Sequence, residues 1–291
     1  MGIAQTLILH FLSLGCIYTL AGIAFVFLLN STRSINFAYG EMLVAAGLVA
    51  ALLGSTENFP WPLLVISITV FVTLALVGLA AVFYFPLRNR PPEAIFLSSI
   101  GIGMVIQNLL VTGLGAAPRR LYIDSFVQSW SMGGFILPLH FIMLFLTTFL
   151  IIGALYYFLS YSRLGLGVQA VTQNPDLAMI FGIRPLHTAI ASFIIAGLLT
   201  AIAAIFLSQN SFLAPEQGND LLLKAYMLTI IGGWGRVYGL WLGAFLLAFL
   251  ETILAFWLSY PLTPIVIYAS LIILLVCRPG GVLQEKQGQR M

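Results

Sequence analysis

The sequence predicts an all-α, polytopic membrane protein, and three observations lead there. Hydrophobic residues make up 61% of the 291 and charged residues only 7%, with a mean hydropathy of +1.07, a balance that a soluble domain of this length could not keep in solution. Apolar runs near or above the roughly 20 residues needed to cross a bilayer core of about 30 Å recur along the whole chain. The runs are continuous rather than alternating, which selects helices over a barrel, whose strands would alternate lipid-facing and lumen-facing side chains.

The first run, at about residues 6–29, has no positively charged segment before it and no clear small-residue cleavage site, so it reads as a retained span. Further spans fall at about 40–54, 62–85, 94–115, 139–161, 187–208, 219–232, 237–259 and 262–277, about eight or nine in one domain that covers 1–291. The runs at about 40–54 and 219–232 are too short to cross unaided, and undersized or broken apolar helices point to a transport pathway. Ser34-Ile-Asn-Phe-Ala-Tyr-Gly-Glu41 leads into the first of them, and Gly232-Gly-Trp-Gly-Arg-Val-Tyr-Gly239 follows the second. Glycines there allow close helix approach or a break whose freed backbone groups must be buried or wetted. Tyr39-Gly40-x-x-Leu43-x-Ala45 also echoes Tyr238-Gly239-x-x-Leu242-x-Ala244, a hint of internal duplication.

Charge sets the expected orientation. With the N-terminus outside and the C-terminus in the cytosol, Arg33, Arg88, Arg90, Arg163, Arg184, Arg236, Arg278, Lys286 and Arg290 fall inside, and only Arg119 and Arg120 fall in the long outer loop 116–138. That loop also holds Asp124, Trp130 and Gly133-Gly134, while the short outer turns carry Glu57 and Asp220. The cytosolic parts are then the loop 162–185 and the tail 278–291. Membrane lipid is the surrounding partner, and a net charge of +3 gives no reason to expect nucleic acid.

Within 162–185 the spacing predicts a short amphipathic helix of about two turns. Asn174 serves as N-cap, Pro175 occupies the first helical position, Asp176 complements the positive end, and Gly182 supplies the left-handed residue that stops the helix. Leu177, Met179, Ile180 and Phe181 are more apolar surface than a solvated loop should leave bare, so a groove on another protein is the expected cover, with an interfacial helix lying on lipid as the alternative.

Enzymatic machinery is not in evidence. There is no G-x-S-x-G, no H-E-x-x-H and no Walker A loop, the only lysines being Lys224 and Lys286. Cys16 and Cys277 stand at opposite ends of the chain and His10, His140 and His187 are scattered, so neither a bound metal nor any other cofactor is expected. Glu41, Lys224 and Glu251 lie within predicted spans, where each would cost about 2.5–3.5 kcal/mol at mid-bilayer, so they should face the bundle interior. A structural Lys224–Glu251 bridge is the expected use of that pair, with a substrate or proton role as the alternative. Gln107 and Asn108 lie mid-span, where amides often link helices, and Asn36, Tyr39 and Gly40 flank the first break as pathway candidates.

These residues resemble one family, the H-type permease subunit of branched-chain amino acid ABC importers. The resemblance runs nearly end to end and rests on Asn36-Phe-Ala-Tyr-Gly-Glu41, Ile106-Gln-Asn-Leu109, Arg163-Leu-Gly, Ala170-Val-Thr-Gln-Asn-Pro-Asp-Leu-Ala178 with Gly182-Ile183, Leu223-Lys-Ala225, Gly232-Gly-Trp-Gly235 and Arg278-Pro279. It implies the ABC importer permease fold in a bacterial inner membrane, paired with a second homologous permease, two cytosolic ATPases that hydrolyse the ATP, and a soluble binding protein that delivers the amino acid. The helix after Asn174 would then receive the ATPase stroke. Gly167-Val168-Gln169, where the family often carries basic residues, and Arg236-Val-Tyr238 depart from the pattern. Permeases similar to this family also serve urea and short amides, and a stand-alone ion-coupled carrier using Glu41 or Glu251 is the alternative from another class.

Overall fold

The computed structural model describes residues 2–55, 60–123, 129–132, 135–232, 237–258 and 262–277. Glu57, Asp124, Gly133-Gly134, Gly233-Trp-Gly-Arg236 and everything from Arg278 onward lie outside the described residues.

The chain opens with α1 (Ile3–Thr32), followed by the short α2 (Ala38–Gly54) and by α3 (Trp61–Leu79). A π-helical turn (Ala80–Tyr84) joins α3 to a last half-turn, α4 (Phe85–Leu87), and the three form one continuous rod. The π-turn has a local cause: Pro86 has no N–H to give back to the preceding turn, and the Phe85 N–H reaches Ala80 O, five residues back. α5 (Pro92–Leu114) and α6 (Leu139–Tyr161) follow, separated by an antiparallel hairpin of β1 (Ser129–Met132) and β2 (Phe135–Pro138) in register Ser129↔Pro138. The hairpin falls in the stretch expected as the outer loop 116–138 and adds two short strands to the expected all-α class.

The second half holds α7 (Arg163–Gln173), α8 (Pro175–Ile180), α9 (Pro185–Asn210), a 3-10 turn (Pro215–Gln217), α10 (Gly218–Ile231), α11 (Val237–Trp257) and α12 (Leu262–Cys277). Among the described residues, six helical segments are long and apolar enough to cross a membrane: α1, the α3–α4 rod, α5, α6, α9 and Gly239–Trp257 of α11. With the shorter α2, α10 and α12 they cover the positions of the nine predicted spans.

α1 is the pillar of the bundle. It is apolar all round, and Ser13 through Leu29 are buried without interruption, because α9, α11, α10 and α6 pack around it and Tyr39 of α2 reaches in against Phe25. α3 lies against the far side of α9, and α5 against α2. α3, α5, α6 and α11 instead leave long apolar side chains such as Leu74, Leu97, Leu146 and Phe249 exposed, as expected of surfaces facing acyl chains or another subunit.

The segment between α9 and α10 does not stay at the bundle end. Gly54 near the end of α2 abuts Leu121, Gly47 abuts Leu213, and Gly40 abuts Gly218. Seven residues of helix rise about 10 Å, so the chain from Leu213 descends along α2 by roughly that distance before α10 begins. Its backbone is satisfied on the way: Arg119 and Leu213 exchange N–H to O bonds of 2.8 Å, and Leu121 N–H donates to Ser208 O at 2.9 Å.

Candidate functional site

Two regions collect the residues that the sequence singles out. The first lies inside the bundle, around the two ends of α10. Its first residue, Gly218, meets Gly40 of α2 so closely that a Cβ on Gly40 would overlap the Gly218 carbonyl. Just beyond its other end, Gly232 meets Gly239 of α11, where a Cβ on Gly232 would lie 2.8 Å from the Gly239 carbonyl carbon. The Tyr-Gly echo therefore falls on two equivalent events, each a backbone-to-backbone crossing that only glycine permits.

Glu41 sits beside the first crossing. It is 2% exposed, its carboxylate abuts Gly218 where a Cβ would stand, and its Oε2 has no hydrogen-bond partner among the described residues. The carboxylate thus lies against the N-terminus of α10, whose positive dipole end favours it. Tyr39 is fully buried and anchored, its hydroxyl donating to Ala21 O at 2.7 Å. Asn36 closes the turn before α2, its Oδ1 accepting from the Ala38 N–H at 3.0 Å. Gln107 is half-buried on α5. Asn108 does not link helices within this chain: it is exposed and its Nδ2 donates to Met104 O of its own helix at 2.8 Å.

Lys224 forms the second polar cluster inside the bundle. Its Nζ lies 2.7 Å from Glu251 Oε1 and 3.1 Å from Asp220 Oδ2, with the lysine side chain 12% exposed. The Tyr18 hydroxyl accepts from Lys224 Nζ at 3.2 Å and donates to Glu251 Oε2 at 2.6 Å, and Tyr268 donates to Asp220 Oδ1. Four helices, α1, α10, α11 and α12, are tied together by one ammonium, two carboxylates and two phenols. The bridge expected between Lys224 and Glu251 is present. Asp220, expected in an outer turn, lies instead in the first turn of α10, because 211–217 descends before the helix starts. Tyr18 and Tyr268 have no sequence signal of their own, since a tyrosine in an apolar run reads as core or interface.

The second region is the link between α6 and α9, which carries two helices rather than the one expected. Ser162 caps α7, its Oγ accepting from the Gly165 N–H at 2.9 Å, and Gln169 Nε2 ties α7 back to Leu159 O at 2.9 Å. Asn174 then caps α8, its Oδ1 accepting from the N–H groups of Asp176 at 3.0 Å and Leu177 at 3.1 Å, with Pro175 at the first helical position. The far end closes as a Schellman motif. Gly182 adopts φ 78°, its N–H reaches Met179 O and the Ile183 N–H reaches Ala178 O, both at 3.0 Å.

The six residues of α8 are thus held at both ends, and what they present is apolar. Ala178 is buried, whereas Leu177 and Met179 are about half exposed, Ile180 is 77% exposed and Phe181 81%. Polar caps at the two ends with bare hydrocarbon between describe a surface made to be covered. Behind it, a cavity of about 890 Å³ separates α7, α8 and the start of α9 from the ends of α1 and α4.

The comparisons agree with this architecture. The family model described as the branched-chain amino acid transport system / permease component matches residues 7–275. The chain is 27% identical to the high-affinity branched-chain amino acid transport system permease protein BraD of Pseudomonas aeruginosa over 96% of its own length and 95% of the relative's. It is 25% identical to the corresponding permease protein LivH of Escherichia coli with the same coverages. A probable branched-chain amino acid transport permease protein LivH of Methanocaldococcus jannaschii shares 24% over 84% of this chain and 80% of its own. No solved structure matches the chain. With a multi-pass apolar bundle on the page and the family model covering nearly all of it, the chain belongs to the permease component family of branched-chain amino acid transport systems.

Proposed function

We propose that this chain is the permease subunit of an ATP-driven ABC importer for branched-chain amino acids in a bacterial inner membrane, lining half of the pathway and coupling to cytosolic ATPases through α8. The single observation that carries the coupling role is the α8 surface: a helix fixed by Asn174 at one end and Gly182 at the other, with Ile180 and Phe181 bare. A rigid, short, apolar handle suits a groove on a partner that pushes and pulls, because its two caps let it move as a body. The catalytic work then belongs to two partner ATPases, and a second homologous permease and a soluble binding protein complete the complex. The branched-chain amino acid as cargo is supported by BraD and the two LivH proteins, whose names carry it.

In the orientation that fits this role, α8 faces the cytosol together with Arg33, Arg88, Arg90, Arg163 and Arg184, while Arg119 and Arg120 lie outside, which places the N-terminus outside and the C-terminus in the cytosol. Glu41, Gly40 and the α10 start form the pathway side of the proposal, since a short helix beginning inside the bundle is where a permease can expose backbone and a carboxylate to an amino acid.

The test is affinity purification of the chain from its native membrane. Two Walker-A-containing ATPases and a second permease should accompany it, and uptake of leucine, isoleucine or valine by the reconstituted complex should require ATP. Uptake by the isolated chain in liposomes, driven by a proton gradient and indifferent to ATP, would overturn the reading.

A further inference from the structure

The cavity behind α8 has a composition that the transport role does not use. Its walls come from four places: the end of α1, the turn after α4, the inner face of α7 and α8, and the first two turns of α9. Arg33, Arg88 and Arg184 all line it, and no aspartate or glutamate does. Among the described residues none of the three guanidiniums has an ion-pair partner. All three are exposed, and they stand on three different walls of one concavity, the end of α1, the turn after α4 and the start of α9, so their charges sum to a positive field across its mouth that an anion would complement.

The deeper wall is different. Val168, Thr188, Ala189 and Ser192 are the buried residues of the lining, and Phe85 adds an aromatic face; the two hydroxyls are spent inside α9, Thr188 Oγ1 donating to Pro185 O and Ser192 Oγ to Thr188 O, both at 2.9 Å, so the basic rim adjoins carbon and already-bonded hydroxyls. The rim is also preorganised. Arg33 is the one non-glycine residue with positive φ among the described residues, at 53°, stopping α1 with its N–H on Leu29 O. Beside it, the Tyr84 hydroxyl donates to Ser31 O at 2.7 Å and locks the α1 end onto the π-turn.

We propose that this cavity binds a phosphate-type anion through Arg33, Arg88 and Arg184. Guanidinium forks match phosphate oxygens in pairs, and a phosphate monoester or diester carries the charge that the rim lacks. The same chemistry is offered by the headgroup of an acidic phospholipid, whose glycerol and acyl carbons would follow the carbon of Val168, Ala189 and Phe85, and by free phosphate. Because Pro175 and Met179 of α8 and Gly182 just after it form part of the wall, the bound anion would set where α8 stands relative to the bundle.

Native mass spectrometry of the purified full chain tests this, with phosphatidylglycerol, phosphatidylcholine of the same acyl chains, and inorganic phosphate as probes. Phosphatidylglycerol should be retained over phosphatidylcholine by about tenfold or more, as expected for three arginines acting near a headgroup. The preference should vanish in Arg33→Gln/Arg88→Gln/Arg184→Gln. It should also vanish in Val171→Trp, which fills the cavity without removing charge and guards against misfolding of the triple variant. Retention that survives millimolar phosphate identifies the lipid as the source; displacement by phosphate identifies the free anion. Equal retention of the two lipids with no phosphate bound, or a preference that persists in both variants, overturns the proposal. Binding is read on the chain by itself, so its failure and a failure of the importer reading are distinguishable.

Discussion

The Lys224 cluster and the α8 surface invert the pattern of a soluble protein. In the first, the charged groups are the hidden ones: Lys224 and Glu251 are largely buried and every charge has a named partner. In the second, the hydrocarbon is bare: Ile180 and Phe181 project from a helix whose polar ends are both capped. The difference separates what holds this chain together from the surface that the proposed coupling role would use. A charge inside a bilayer must be neutralised within the chain, whereas apolar surface outside the lipid can wait for a partner.

That contrast can be broken most forcefully at Lys224. Lys224→Met leaves the largely buried Glu251 and the more exposed Asp220 without their cation and should cost about 3 kcal/mol, nearly all of it through Glu251, read as loss of folded yield and a lowered unfolding midpoint in detergent. Glu251→Leu should cost less, since Asp220 still holds the ammonium, and the double variant Lys224→Met/Glu251→Leu should recover much of the loss. A double variant no better than Lys224→Met would show that the pair is not structural.

The α2–α10 crossing should give an intermediate effect. Gly218→Ala places a methyl against the Glu41 carboxylate and should cost about 1–3 kcal/mol, and Glu41→Ala in the same chain should relieve it. If stability in the double variant stays as low as in Gly218→Ala, the clash is with Gly40 backbone rather than with Glu41.

The smallest stability effects belong to α8. Ile180→Asp/Phe181→Asp should change the unfolding midpoint by no more than about 0.5 kcal/mol equivalent, because among the described residues little covers those side chains. The same variant should lose co-purifying ATPase. Retained ATPase with normal uptake would remove α8 from the coupling role and leave the lipid-lying alternative.

Much of this was legible in the sequence because hydropathy is a one-dimensional signal. The helix positions, the two undersized runs and the all-helical class follow from run length. The Asn174 to Gly182 helix follows from local chemistry, since a cap and a left-handed stop lie within a few residues of one another. Pairing Lys224 with Glu251 was reachable because an unpaired charge in a span must find an opposite charge. Other features needed the third dimension. Tyr18 lies 206 residues from Lys224, and nothing in an apolar run marks which tyrosine faces inward. Asp220 was misplaced because the descent of 211–217 comes from packing against α2, which hydropathy does not record. The β1–β2 hairpin and the division of the link into α7 and α8 were likewise invisible to run length.

The burial of α1 bears on the order in which the molecule is built. α1 is synthesised before the α11 that covers it, with the α1 pillar finished on the order of 200 residues earlier, roughly 10–40 s at ~5–20 residues per second. During that interval the face of α1 that α11 will cover must stand in lipid or against other helices. The polar side chains of α1 are suited to the wait: Thr19 returns its hydroxyl to Gly15 O at 2.7 Å and Thr32 to Leu28 O at 2.9 Å, bonds that need no neighbour. Tyr18 differs, its two charged partners arriving only with α10 and α11, so ribosome-bound chains that stop short of α11 would carry a pillar complete in its own backbone but without its α11 cover and without the polar latch to Glu251.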